Sequence, residues 1–152
     1  MGESMTPDRF ENDALIGSIL EGFSLKTEKA STYSPLALAY IGDNVYELVN
    51  RTVAVRKANR QVQKLHKECS ARARAVTQAK LIAAIEADLT EEELAVYTRG
   101  RNAEVNTKAK NSTLAEYHHA TGLEALIGYL YLDGQYERLV ELIKTGWERI
   151  NV

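Results

Sequence analysis

Two acidic residues stand where acids are costly. Asp43 is the only charged residue between Pro35 and Tyr46, and Glu124 is the only formally charged residue between Tyr117 and Leu132. Both stretches otherwise read as buried helix. A carboxylate taken out of water needs a hydrogen-bond network, a basic partner or a metal ion. Two carboxylates on facing helices would hold a hard divalent cation such as Mg²⁺, which prefers oxygen ligands and keeps several waters. Such an ion activates water as a nucleophile and stabilises charge on a phosphoryl oxygen. Structural roles compete with this reading. Asp43 could cap a helix kinked at Gly42 or pair with a buried arginine, and Glu124 could close a capping box with Thr121.

The distribution of charge points to a polyanion. The formal net charge is only -2, yet 13 of the 19 Lys and Arg residues lie between 51 and 110. Lys57, Arg60, Lys64 and Lys67 are spaced by three and four, which places them on one helical face; a merely solvated face is the alternative. Arg99, Arg101, Asn102, Lys108 and Lys110 fall in a stretch, Arg99 to Asn111, that reads as a basic loop. Such asymmetry creates a local positive field that the net value hides, and phosphates would be neutralised there with release of counterions. His66, His118 and His119 have no zinc-like spacing with cysteine. No glycine-rich phosphate loop or nucleophilic triad is evident. The lone Cys69 excludes an intrachain disulfide and fits a reducing compartment. Without a transmembrane run or a signal-like start, a cytoplasmic protein with no membrane contact is expected.

The elements that must position these residues are helical. The chain has 152 residues and only two prolines, and its middle is rich in strong helix formers. An all-α single domain is expected. Residues 1–9 read as a loose arm. Ile16, Ile19, Leu20 and Phe23 mark a first amphipathic helix, and 26–33 a loop. Ser34-Pro35 starts a helix through Leu38, Ile41, Val45, Leu48 and Val49 to about Val53. A basic helix follows, with Val62, Leu65, Cys69, Ala73 and Val76 on its other face, and 77–87 is apolar and helical. Thr90 with Glu93 caps a helix through about Tyr97, and Thr113 with Glu116 caps another. Residues 122–132 are apolar all round, as in a buried central helix. Asp133-Gly134 ends it. Leu139, Leu142, Ile143, Trp147 and Ile150 define a last amphipathic helix.

The stretch Leu38 to Val45, with Gly42-Asp43 after Tyr40-Ile41, resembles the signature helix of ribonuclease III domains. The stretch Gly122 to Asp133 resembles that family's second acidic motif. With Arg99 to Ala103 and Ala120 to Gly122, the pattern is similar to the Mini-ribonuclease III branch, which lacks a double-stranded-RNA-binding domain. The resemblance covers roughly residues 30–150. It implies the ribonuclease III endonuclease fold, a homodimer, and Mg²⁺-dependent hydrolysis of double-stranded RNA to 5′-phosphate and 3′-hydroxyl ends. Asp43 and Glu124 carry over as the catalytic, metal-binding acids. The family's two further acids do not: Ala39 and Thr121 occupy those positions. Thr121 would hold a metal-bound water, and Glu47 would do the same or simply pair with Arg51. Tyr40 matches the aromatic residue inserted into the partner subunit.

Residues 1–30 would then be an arm and first helix, and 31–152 the catalytic domain with no separate RNA-binding domain. A-form RNA is read mainly through shape and 2′-hydroxyls, so Lys57, Arg60, Lys64, Lys67 and the 99–110 cluster would do that work. The branch implies maturation of the 23S ribosomal RNA precursor, with a ribosomal protein as a possible further partner. Two rival functions remain at this point, a non-catalytic RNA-binding or ribosome-associated scaffold and a helical DNA-binding regulator.

Overall fold

The computed structural model describes residues 15–103 and 113–152. The arm at 1–9 and the basic positions Lys108 and Lys110 lie outside the described residues. Within them the chain is α-helical, with no strand. Seven helices follow in order: α1 (Leu15–Gly22), α2 (Pro35–Lys57), α3 (Val62–Ala73), α4 (Ala75–Ile85), α5 (Glu91–Asn102), α6 (Leu114–Leu132) and α7 (Tyr136–Ile150). Short 3₁₀ turns sit at Ala30–Thr32 and Glu86–Asp88.

The centre is α6. From Ala120 to Leu130 every residue except Glu124 is buried, because α2, α4 and α5 all pack on it and α7 closes the remaining side. Thr113 and Glu116 form the expected capping box at its start. Gly134, at φ +76°, ends it with a conformation that glycine adopts without penalty. Ser34 accepts from the Ala37 amide to start α2, with Pro35 at the first helical position. Arg56 and Lys57 in its last turn suit the negative end of the helix. So α2 runs one turn beyond the expected Val53.

Three expectations fail for identifiable reasons. The basic segment is not one helix. Lys57 ends α2, Arg60 lies between helices, and the chain breaks again at Arg74, whose ψ is 146°. That break is stabilised because Thr77 Oγ1 donates to Ala71 O at 2.7 Å and Gln78 Nε2 donates to Ala73 O at 3.0 Å. These side chains satisfy carbonyls that a helix end leaves open.

The basic loop is also partly wrong: Arg99, Arg101 and Asn102 belong to α5. Gly100 is a packing residue rather than a breaker, since a Cβ there would lie 2.6 Å from Ala125 Cβ. Finally, α1 forms but buries none of its residues, and Phe23 just beyond it is 75% exposed.

Arg72, counted among the basic residues, is a core group. It is 6% exposed, pairs with Glu68 at 3.1 Å, and stacks 4.4 Å from the Trp147 ring centroid. Tyr46 donates to Arg72 O at 2.7 Å and accepts from Trp147 Nε1 at 3.0 Å. This network ties α2, α3 and α7 together next to the signature stretch.

Candidate active site

Glycines set the site. Where α2 crosses α6, a Cβ on Gly42 would fall 1.7 Å from Glu124 O, and one on Gly128 would fall 2.0 Å from Leu38 O. The two backbones therefore touch at a spacing that no larger residue permits. The contact brings Asp43 beside Glu124, with the two carboxyl groups within hydrogen-bonding reach of each other. Burial, and then the adjacent Asp43 charge, push the Glu124 pKa from its ordinary 4.5 up to about 8.

Neither competing helix-cap role is realised. Gly42 causes no break in α2, and Glu124 sits mid-helix, well past the capping box. One premise also changes: Asp43 is exposed, so only Glu124 bears the full desolvation. Asp43 opens onto a surface groove with Tyr40, Ile41, Asn44 and Glu47.

This donor set fits a hard cation. Two carboxylates pressed together repel, and a divalent ion between them removes that repulsion. Among the described residues no group of three or more His, Cys, Asp or Glu side chains converges. Protein oxygens are therefore few, which suits an ion that keeps most of its water. Thr121 is buried and spends its hydroxyl proton on Tyr117 O at 3.0 Å, leaving its oxygen only as an acceptor. Glu47 accepts from Asn50 at 3.1 Å and pairs loosely with Arg51 at 3.5 Å, so its structural role is realised while it still faces the Asp43 groove. Sequence reasoning missed Gln78, whose amide approaches Glu124 from α4 and favours its charged form. An uncharged residue in an apolar stretch gave no signal.

The expected RNA-contacting residues divide. Lys57, Lys64, Lys67, Arg99 and Asn102 are exposed. Arg60 is drawn onto Glu68 at 2.6 Å. Arg101 is half-buried, 5.6 Å over the Tyr97 ring. Beside it Tyr97 and His119 share a 2.6 Å hydrogen bond, and Arg101, Asn102, His118 and His119 line one open pocket. Tyr40 is 86% exposed, on a stripe of α2 with Leu36 and Leu48.

Residues 36–135 match the model of the ribonuclease III domain. The chain belongs to the ribonuclease III family. It is 47% identical over 112 residues to Mini-ribonuclease 3 of Clostridium tetani, covering 73% of this chain and 74% of that one. It is 44% identical over 128 residues to Mini-ribonuclease 3 of Thermoanaerobacter sp., covering 84% and 90% respectively. In fold it is similar to the crystal structure of protein FN1578 from Fusobacterium nucleatum, with a TM-score of 0.70 at 33% identity over 74% of this chain and 90% of that one. Both acids and the two glycines of the crossing fall inside the matched range. The chain is an endoribonuclease of a family that acts on double-stranded RNA and depends generally on divalent metal. No described helix is long and apolar enough to cross a membrane.

Proposed function

We propose that this chain hydrolyses phosphodiester bonds of double-stranded RNA with Mg²⁺ held by Asp43 and Glu124. The observation that carries the reading is the meeting of those two carboxyl groups at the Gly42–Gly128 crossing. When bound, the cation would ease deprotonation of a water and offset charge on the phosphoryl oxygen. Exposed Asp43 gives a phosphodiester access to the site, and the core side of α6 holds Glu124 rigidly behind it. Lys57, Lys64, Lys67, Arg99 and Asn102 supply exposed groups for the RNA backbone. Thr121, as an acceptor, and Glu47, on the groove, orient water around the ion.

The working form is a homodimer about α2. Leu36, Tyr40, Leu48 and Val55 are 41%, 86%, 55% and 53% exposed along one helix, an apolar stripe that water alone does not favour. Tyr40 is the inserted contact, and residues 31–152 are the catalytic unit. Maturation of the 23S ribosomal RNA precursor in the cytoplasm, leaving 5′-phosphate and 3′-hydroxyl ends, is the role most consistent with the branch.

The test uses a labelled RNA duplex with and without Mg²⁺. The wild type should cut only with the ion. Asp43→Asn should lower the rate by about a thousandfold, since the site's charge stabilisation is worth several kcal/mol, while duplex binding persists. Comparable cutting by that variant would remove Asp43 from the site. A wild type that binds duplex but never cuts it would favour a scaffold.

A further inference from the structure

One buried amide beside the acids has an oxygen without a partner. Gln78 is 4% exposed and stands in the first turn of α4. Its Nε2 donates to Ala73 O at 3.0 Å. That contact fixes which way the amide faces, because the flipped amide would set two oxygens against each other. The amide also lies near enough to Glu124 to favour its charged form. Its Oε1 is buried with no hydrogen-bond partner. Buried acceptors are seldom left unpaired, and each one calls for an explanation. Closing the α3–α4 break explains the nitrogen and leaves the oxygen unexplained.

We propose that Gln78 is a positioning residue of the catalytic centre: its nitrogen holds the Glu124 carboxylate in place, and its Oε1 accepts from the water surrounding the cation. This rests on the reading that Asp43 and Glu124 hold the ion. The chemistry suits a site short of acids. Ala39 can offer no oxygen from its side chain, and Thr121 has committed its proton to Tyr117. A neutral amide adds an acceptor without adding a third negative charge against two carboxylates, and it brings a donor that a carboxylate lacks. Residues that orient a metal ligand in this way commonly affect metal affinity as much as rate.

The experiment measures Mg²⁺ affinity of the whole chain by isothermal titration calorimetry, alongside duplex cleavage. Gln78→Met keeps the shape and removes both polar atoms. It should weaken Mg²⁺ binding by about 10-fold and lower kcat, with KM for the duplex unchanged. Thr77→Val breaks the neighbouring bond to Ala71 at the same helix junction. It should lower the melting temperature and leave Mg²⁺ affinity as it was.

Asp43→Asn separates the two levels of inference. If that variant loses Mg²⁺ while Gln78→Met binds as tightly as wild type, the role of Gln78 is refuted and the metal site stands. If Asp43→Asn binds as wild type does, the metal site falls and Gln78 with it. Equal loss of affinity in Thr77→Val and Gln78→Met assigns the effect to the junction and also refutes the proposal. Should Gln78→Met fail to fold, Gln78→Glu decides: with an oxygen retained and a charge added, Mg²⁺ should raise its melting temperature by more than it raises that of wild type. A rise no larger than wild type's overturns the proposal.

Discussion

Replacing Glu124 by glutamine should abolish cleavage and yet make the metal-free protein more stable. Burial and the Asp43 charge lift the Glu124 pKa from 4.5 to about 8. Between those values the folded state holds a proton that the unfolded state has released. The folded pKa lies above the unfolded one, so this group's contribution is full below about pH 4.5 and is lost as pH rises to about 8. One proton gives a slope of about 1.4 kcal/mol per pH unit. Across the window the wild type therefore loses stability on the order of 4 kcal/mol, and glutamine, which never ionises, loses none of it. Urea melts in EDTA at about pH 5 and about pH 8 measure both proteins, and the difference between them cancels the titrating groups that do not interact with Glu124. The gap should open with pH and close again when Mg²⁺ stabilises the wild type alone. Parallel pH dependences for the two proteins would show that Glu124 is not confined with Asp43, and the account of the site would fail.

Gly42→Ala places a methyl group 1.7 Å from Glu124 O, so α2 and α6 must part; a loss of about 3 kcal/mol or more in urea melts, with cleavage gone, is expected. Arg138→Ala strands Glu93, which is 4% exposed and held by two 2.9 Å bonds from Arg138. It should cost about 3 kcal/mol with cleavage per folded molecule unchanged. The Arg138 hydrogen bond holds the Glu93 carboxyl below its usual pKa. That stabilisation is present above the unfolded value and lost as pH falls, so the variant's acid-unfolding limb should flatten. Tyr40→Ala removes the most exposed member of the α2 stripe; sedimentation should report a shift toward monomer, and an unchanged dimer would place the interface elsewhere.

Much of this architecture was legible because its signals are local. A serine before Pro35, threonines three residues before Glu93 and Glu116, and glycine after Asp133 each act through the nearest few backbone groups. The isolation of Asp43 and Glu124 was visible for a similar reason, since each is alone in an apolar stretch. What stayed hidden depends on neighbours distant in sequence. Gly100 resembles a helix breaker until Ala125 and Gly122 are seen against it. Arg72 resembles a surface cation until Trp147 and Glu68 enclose it. The break at Arg74 has no glycine or proline to announce it; Thr77 and Gln78 stabilise it by reaching back over the turn.

The exposure of Asp43 changes how the acids are to be understood. Two equally buried carboxylates would have been a folding liability answered by a metal. Instead Glu124 alone is desolvated, while Asp43 lies at the mouth of a groove. An inner acid with a raised pKa and an outer acid open to solvent give the proposed site a direction: an ion held there would be gripped from the core side, and substrate would approach from the other. The glycines make that asymmetry possible. A Cβ at position 42 or 128 would push α2 away from α6, water would enter between the carboxyl groups, and Glu124 would titrate as an ordinary acid. On this view the Gly42–Gly128 crossing belongs to the catalytic machinery as much as the acids do, although neither glycine carries a functional group.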